Sequence, residues 1–273
     1  MDVLTGPENQ IAIRFAGTGQ YPLTAGQTRG FEALPFEMFL CAERGTFSMT
    51  ADGKTAVCRE GDAILVPCDT AFMLGTDEEV TVFSVAADCR IYETLRVLSL
   101  YDLPTVLAGE AQACRRIRKT ALESEFTNTR LECAMTIDHA LYGLFCEVIA
   151  DGVPLTNGTM RLERYARLAA VLSHIGANID RNFKLDELSS LVELSEDSFY
   201  RLFKSTLGEA PKEYLISERM RLARFLLVST SLSVAEITKR IGYENPFYFS
   251  TLFHQRNGMP PSEYREKTAG LFC

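Results

Sequence analysis

The sequence predicts an α+β protein. A small antiparallel β-barrel comes first, a helical segment follows, and an all-α domain with two helix-turn-helix units closes the chain. Three observations carry this. Between Phe36 and Ala87, short apolar runs alternate with turn signals, the pattern of a small antiparallel barrel. From Leu103 to Gly152 the apolar period becomes helical. Beyond residue 161, two stretches each read as helix, tight turn, helix and stop, with one long helix between them.

At 273 residues the chain holds about two domains, each large enough for its own core. Its net charge of −8 is unevenly spread. Residues 1–160 carry 12 Lys and Arg against 22 Asp and Glu, whereas residues 161–273 carry 16 against 14. Such asymmetry is itself a sign of two domains.

The opening decapeptide MDVLTGPENQ lacks the basic, apolar and small-residue order of a secretory signal. No run approaches eighteen apolar residues, so no membrane span is expected. Ile11–Phe15 suits a strand, and the glycines from Gly17 to Gly30 suggest a loose arm after it. Asp52-Gly53 between TFSMTA and KTAVCR is a two-residue hairpin signal. Gly61-Asp62 precedes AILVP, and Gly75 to Glu79 separates AFML from VTVFSVAA. The eight cysteines are Cys41, Cys58, Cys68, Cys89, Cys114, Cys133, Cys146 and Cys273. They form no C-x-x-C pair, so reduced and mostly buried thiols in the cytoplasm are expected.

AGEAQACRRIRKTALESE reads as a helix with a basic middle, and RLECAMTIDHALYGLFCEVIADG as a longer one. Leu131, Met135, His139, Tyr142 and Cys146 fall near one stripe of the longer helix. Ala134, Ile137, Leu141, Leu144 and Phe145 lie around it. A helix apolar on nearly all sides must bury its surface. It can do so against the barrel of its own chain or in a homodimer seam, for which Leu141 and Phe145 are the candidate residues. His139 reads as a packed core residue. DGVPLTNGT, Asp151 to Thr159, has the composition of a linker, and RLERYARLAAVLSHIGANI after it reads as one helix.

The clearest stretch is SVAEITKRIGYENPFYFSTLFHQRNGMPPSEYR, Ser233 to Arg265. Ser233 and Glu236 match a capping box, and Leu232 and Ile237 a hydrophobic staple. Gly242 sits in the turn, Asn245 is a good N-cap, and Pro246 a good first helical residue. Phe249, Leu252, Phe253 and Arg256 fall on one side of the second helix, and Phe247, Thr251 and His254 on the other. A weaker copy runs from Leu185 to Gly208: Ser195 caps a helix with Phe199, Leu202 and Phe203 inward. Asp197, Tyr200, Arg201 and Lys204 lie on its other side. PKEYLISERMRLARFLL then forms a spacer helix about 26 Å long. One DNA turn is about 34 Å, so two such units on one spacer can face successive major grooves.

RLFKSTLGEAPKEYL, ERMRLARFLL, SVAEITKRIGYENPFYFSTLF and GMPPSEYR together resemble the DNA-binding domain of the AraC/XylS family of transcription regulators. The resemblance covers roughly Arg164 to Lys267. It implies domains at 1–102 (a cupin-like regulatory barrel), 103–152 (a helical segment, a candidate for dimerisation), 153–160 (a linker) and 161–273 (DNA binding). Within the last, the two units span 185–207 and 233–256 and the spacer helix 211–228. E-G-D-A-I-L-V-P looks like the cupin glycine turn and strand. Metal-binding cupins use a histidine set, and here the only histidines are His139, His174 and His254, all outside the barrel; no metal or cofactor is implied.

By the same resemblance Arg201 takes the position used on base edges, where Arg can grip guanine bidentately. Lys204 is assigned to phosphate, and Asp197, Ser198 and Tyr200 are further contacts. In the second unit Phe247, Tyr248, Thr251, His254 and Gln255 match groove-facing positions. Thr251 and Phe247 suit a thymine methyl, and Gln255 a base edge or phosphate. Arg219 is expected to pair with a carboxylate.

No nucleophile elbow, phosphate loop, metalloprotease motif or dinucleotide fingerprint occurs in the chain. The resemblance implies a cytoplasmic, non-enzymatic regulator, more an activator than a repressor. It would bind double-stranded promoter DNA as a homodimer, work with RNA polymerase and sense a small-molecule effector. Two alternatives are a cupin-like enzyme fused to a DNA-binding domain and a regulator controlled by a protein partner.

Overall fold

The computed structural model describes residues 11–124, 130–269 and 271. Residues 1–10, read above for a leader, and Cys273 lie outside them. The chain divides into two compact units. One contains Ile13–Cys89 and Asp102–Val153; the other contains Arg90–Tyr101 and Pro154–Arg265. The segment Arg90–Tyr101, which the resemblance places within the 1–102 barrel, clusters with the helices.

The first unit is built on two antiparallel sheets. Its strands are β1 (Ile11–Leu23), β2 (Thr28–Phe31), β3 (Glu37–Ala42), β4 (Phe47–Ala51), β5 (Lys54–Cys58), β6 (Ala63–Val66), β7 (Phe72–Gly75) and β8 (Val80–Ile91). One sheet has the order β1-β8-β3-β6 and ends on the short strand Val106–Leu107; the other has the order β2-β7-β4-β5. Among the described residues the two ladders do not join, so the closed barrel read from the strand pattern is corrected to two separate sheets. Strand lengths and turns are written in local sequence, whereas closure depends on which edges meet. The Asp52-Gly53 turn is as expected: both residues have positive φ, at 48° and 73°, and Ala51 faces Lys54 across the hairpin. Strand β1 corrects the loose arm, because it continues through Gly17 and Gly19 to Leu23.

Strands β3 and β6 are buried along their whole length, so they read as continuous apolar runs. Helices α1 (Ala111–Ser124) and α2 (Arg130–Ala150) complete the unit. The basic middle of α1 is structural: Arg115 Nη2 donates to the Ala42 carbonyl at 3.1 Å, and Arg118 Nη1 to Glu43 Oε1 at 2.6 Å. Both tie the helix to the end of β3.

Helix α2 buries Ile137, Leu141, Leu144, Phe145 and Val148. The Phe145 ring meets Phe39 of β3 edge-on, with centroids 5.6 Å apart. Leu141 and Phe145, the candidate seam residues, are therefore core residues of their own chain. The opposite stripe, Leu131, Met135, His139, Tyr142 and Cys146, is exposed throughout, so His139 is not a core residue. An all-round apolar helix gives no sequence clue to which face meets the sheet; burial decides it. Residues Leu131–Ala150 are long and apolar enough to cross a membrane by length and composition, contrary to the reading of the sequence. Cys41, Cys58, Cys89 and Cys114 are buried, and burial pushes the Cys58 thiol up to about 12, which keeps it protonated and unreactive.

The second unit is helical. Its elements are α3 (Gly158–Ala166), α4 (Ala169–Ala177), α5 (Leu185–Ser190), α6 (Glu196–Leu207), α7 (Pro211–Ser229), α8 (Val234–Arg240), α9 (Pro246–Asn257) and α10 (Pro261–Thr268). The single helix expected over 161–179 is two, because the chain leaves helical geometry at Leu168 (φ −105°, ψ 5°), whose side chain is fully buried. A short strand, β9 (Leu95–Arg96), pairs with Arg90 and Ile91.

Candidate nucleic-acid interface

Each helix-turn-helix is assembled by local caps and a small aromatic core. Ser233 Oγ accepts from the Glu236 amide at 3.2 Å, and Glu236 Oε2 accepts from the Ser233 amide at 2.7 Å. The Ser233 donors hold the Glu236 carboxyl below the usual carboxylate range. Asn245 Oδ1 accepts from the Phe247 and Tyr248 amides at 2.9 and 3.2 Å, and Pro246 follows at the first helical position. In the first unit Ser195 Oγ accepts from the Ser198 amide at 3.4 Å, and Gly208 ends α6 in the left-handed conformation.

Phe199 and Phe203 of α6, and Phe249 and Phe253 of α9, are fully buried one helical turn apart. Burying a phenyl side chain contributes about 2–3 kcal/mol. The rings of Phe249 and Phe253 pack against Tyr264 of α10 and Ile237 of α8 in one cluster with Leu226 and Leu227 of α7. This inward face fixes which residues of α6 and α9 remain outside.

The residues read as the outer faces of the two helices lie there. On α6, Asp197, Tyr200, Arg201 and Lys204 are exposed and Ser198 is half-buried. Arg201 Nε donates to the Asp197 carbonyl at 3.2 Å, which steers the guanidinium along its own helix. On α9, Phe247, Tyr248, Thr251, His254 and Gln255 are exposed, with Phe247 at 85%. Phe247 and its neighbour Tyr248, 57% exposed, leave two aromatic rings side by side on the outer face of α9. Thr251 Oγ1 donates to the Phe247 carbonyl at 3.0 Å, so its methyl is the group left for contact. Arg256 of α9 is engaged with Glu213 of α7 at 2.5 Å. The exposed face of α9 thus lacks a free permanent cation, whereas that of α6 has Arg201 and Lys204.

The two units share one frame. Helix α7 has 19 residues, about 28 Å. From its middle, buried Arg219 donates to the Ile179 carbonyl (2.8 Å), the Arg181 carbonyl (2.9 Å) and Asn182 Oδ1 (3.2 Å), and it lies 5.1 Å from the Tyr243 ring centroid. The carboxylate expected for Arg219 is replaced by loop carbonyls, a choice that sequence spacing does not encode. Gly242, φ +82°, closes the same contact: a Cβ there would overlap the Asp180 carbonyl. The α4–α5 loop is therefore locked to the turn of the second unit. The sequence reading also passed over the exposed cations Lys212, Lys239 and Arg240. Their position beside the turns was the available signal.

These features define a protein with two helix-turn-helix units on one spacer. A family model described as a helix-turn-helix domain matches residues 188–267. An uncharacterized HTH-type transcriptional regulator of Escherichia coli (strain K12), YdiP, is 33% identical over 242 residues, covering 85% of this chain and 78% of that protein. The lactose operon transcription activator of Staphylococcus xylosus is 35% identical over 91 residues, and the match spans only 33% of that relative's length. The crystal structure of ToxT from Vibrio cholerae O395 aligns with a TM-score of 0.52 at 15% identity, covering 96% of this chain and 99% of that one; it shares the fold. The chain belongs to the AraC/XylS family of helix-turn-helix transcriptional regulators.

Proposed function

We propose that this regulator reads promoter DNA with α6 and α9 in successive major grooves. The observation that carries it is the repeated geometry: two buried phenylalanines behind an exposed polar and aromatic face, twice, at the two ends of α7. Arg201 reads a base edge and Lys204 meets phosphate; Asp197, Ser198 and Tyr200 flank them. Phe247 and Thr251 contact thymine methyls, with Tyr248, His254 and Gln255 beside them. Binding rests on cations that displace condensed counterions, so affinity for a selected genomic fragment should fall about tenfold or more from about 50 to 200 mM salt. Titration of the full chain by fluorescence anisotropy measures this, and an affinity indifferent to salt contradicts it.

The first unit acts as the regulatory domain, with a cupin-like arrangement of its two sheets that senses a small effector in the cytoplasm. Activation is carried over from the lactose operon transcription activator, and work with RNA polymerase follows from that reading. Pairing of two chains is supported by the exposed apolar stripe of α2, where Leu131 is 75% and Met135 64% exposed. Leu131→Glu combined with Met135→Glu should give a folded monomer in sedimentation equilibrium while the parent chain dimerises. A monomeric parent, or a variant that still dimerises, would contradict the seam.

A further inference from the structure

Helix α2 is 21 residues long, about 31 Å. The sheet beneath accounts for its buried side, and its outer side carries a pattern of its own. Asp138 and His139, both exposed, sit at the centre of the exposed stripe. Leu131 lies seven residues before Asp138, and Cys146 seven after His139. Met135 lies three before, and Tyr142 three after. The stripe is therefore its own complement when run backwards. An antiparallel copy centred between Asp138 and His139 sets Leu131 of one chain against Cys146 of the other, and Met135 against Tyr142. Asp138, an acceptor, then faces the ring N–H donors of His139, and the two-fold axis makes that contact twice. Among the described residues neither has an ion-pair partner within its own chain. Other registers lose this match. A shift of one turn in one direction sets Met135 against Asp138; in the other it sets Asp138 against Gly143. A parallel copy sets Asp138 against Asp138, like charge against like.

We propose that α2 packs on α2 of a second copy in this antiparallel register, with Asp138 and His139 selecting it. The register rests on the pairing of two chains proposed above. The apolar contacts supply affinity, and the central polar pair supplies specificity, because an exposed ion pair adds little affinity while a like-charge encounter is penalised. A second copy suits the stripe better than a membrane does. Asp138 and His139 lie near the middle of the apolar stretch, where a bilayer is least tolerant of charge. Residues 131–150 contain no Lys or Arg to meet lipid headgroups, and Glu132, Asp138 and Glu147 are exposed there.

The test is cross-linking of the full chain carrying Leu131→Cys, oxidised with diamide and mapped by peptide mass spectrometry, beside sedimentation equilibrium. A disulfide between position 131 of one chain and Cys146 of the other is expected. The two positions lie about 22 Å apart along one helix, so the bond can form only between chains. His139→Glu, on the exposed face, should keep the fold by circular dichroism and weaken the dimer by roughly tenfold or more. Adding Asp138→Lys to it should restore the dimer to within about threefold of the parent, a recovery that misfolding does not produce. A dimer that links Cys146 to Cys146, or that forms no bond from position 131 to Cys146, overturns the register and leaves the pairing standing. A dimer indifferent to His139→Glu, or not restored by the exchange, overturns the role of the polar pair. A monomeric parent overturns register and pairing together; if that monomer binds phosphatidylglycerol vesicles and the Leu131→Glu, Met135→Glu variant does not, the stripe is a membrane contact instead.

Discussion

Arg219→Ala is expected to lower the stability of the helical unit by about 3 kcal/mol, because it leaves two loop carbonyls and the Asn182 side chain without their buried donor. Among the described residues the α4–α5 loop has no comparable tie to the middle of α7, and the Tyr243 ring loses the cation above it. The chain has no tryptophan, so urea unfolding followed by circular dichroism is the suitable measurement. Arg219→Lys should recover only part of the loss, since one ammonium cannot reproduce a planar fork over three acceptors. DNA affinity should fall in step with the folded fraction, at specific and non-specific sites alike. A variant as stable as the parent that has nonetheless lost binding would mean that Arg219 touches DNA.

Arg201→Ala is expected to produce the opposite pattern. The side chain is exposed and bonded only to its own helix, so stability should hardly change. Affinity for the specific site should drop by about 1–3 kcal/mol, and discrimination at one base pair should relax. Competition against an array of single-base variants measures both. An equal loss on every sequence would make Arg201 a phosphate contact like Lys204.

The contrast between these arginines shows what the sequence encodes. Arg201 was legible because helix periodicity places it opposite Phe199 and Phe203. The Ser233–Glu236 box, the Asn245 cap and the Asp52-Gly53 hairpin were legible for the same reason: each is a local code completed within a few residues. Arg219 meets residues some forty positions away, and nothing in its surroundings distinguishes a carbonyl from a carboxylate partner. Helix α2 failed similarly, for Leu141 and Leu131 are equally apolar and only the sheet beneath decides which is covered. Strand β1 was cut short because its glycines read as breakers.

The family assignment is carried by the helical unit and by the long match to YdiP. Within the helical unit, the two reading helices differ in charge. The face of α6 offers Arg201 and Lys204; that of α9 offers Phe247, Tyr248, Thr251, His254 and Gln255, with Arg256 engaged by Glu213. The central claim is that both helices nevertheless sit in grooves of one DNA face. Hydroxyl-radical footprinting of the full chain on a selected site, followed by base-by-base substitution, tests it most directly. The account predicts two protected tracts about one helical turn apart on the same face. Base sensitivity should be strong under α6 and weaker under α9, where A·T pairs with exposed thymine methyls should be preferred. A single protected tract, unaltered by substitutions one turn away, would contradict it.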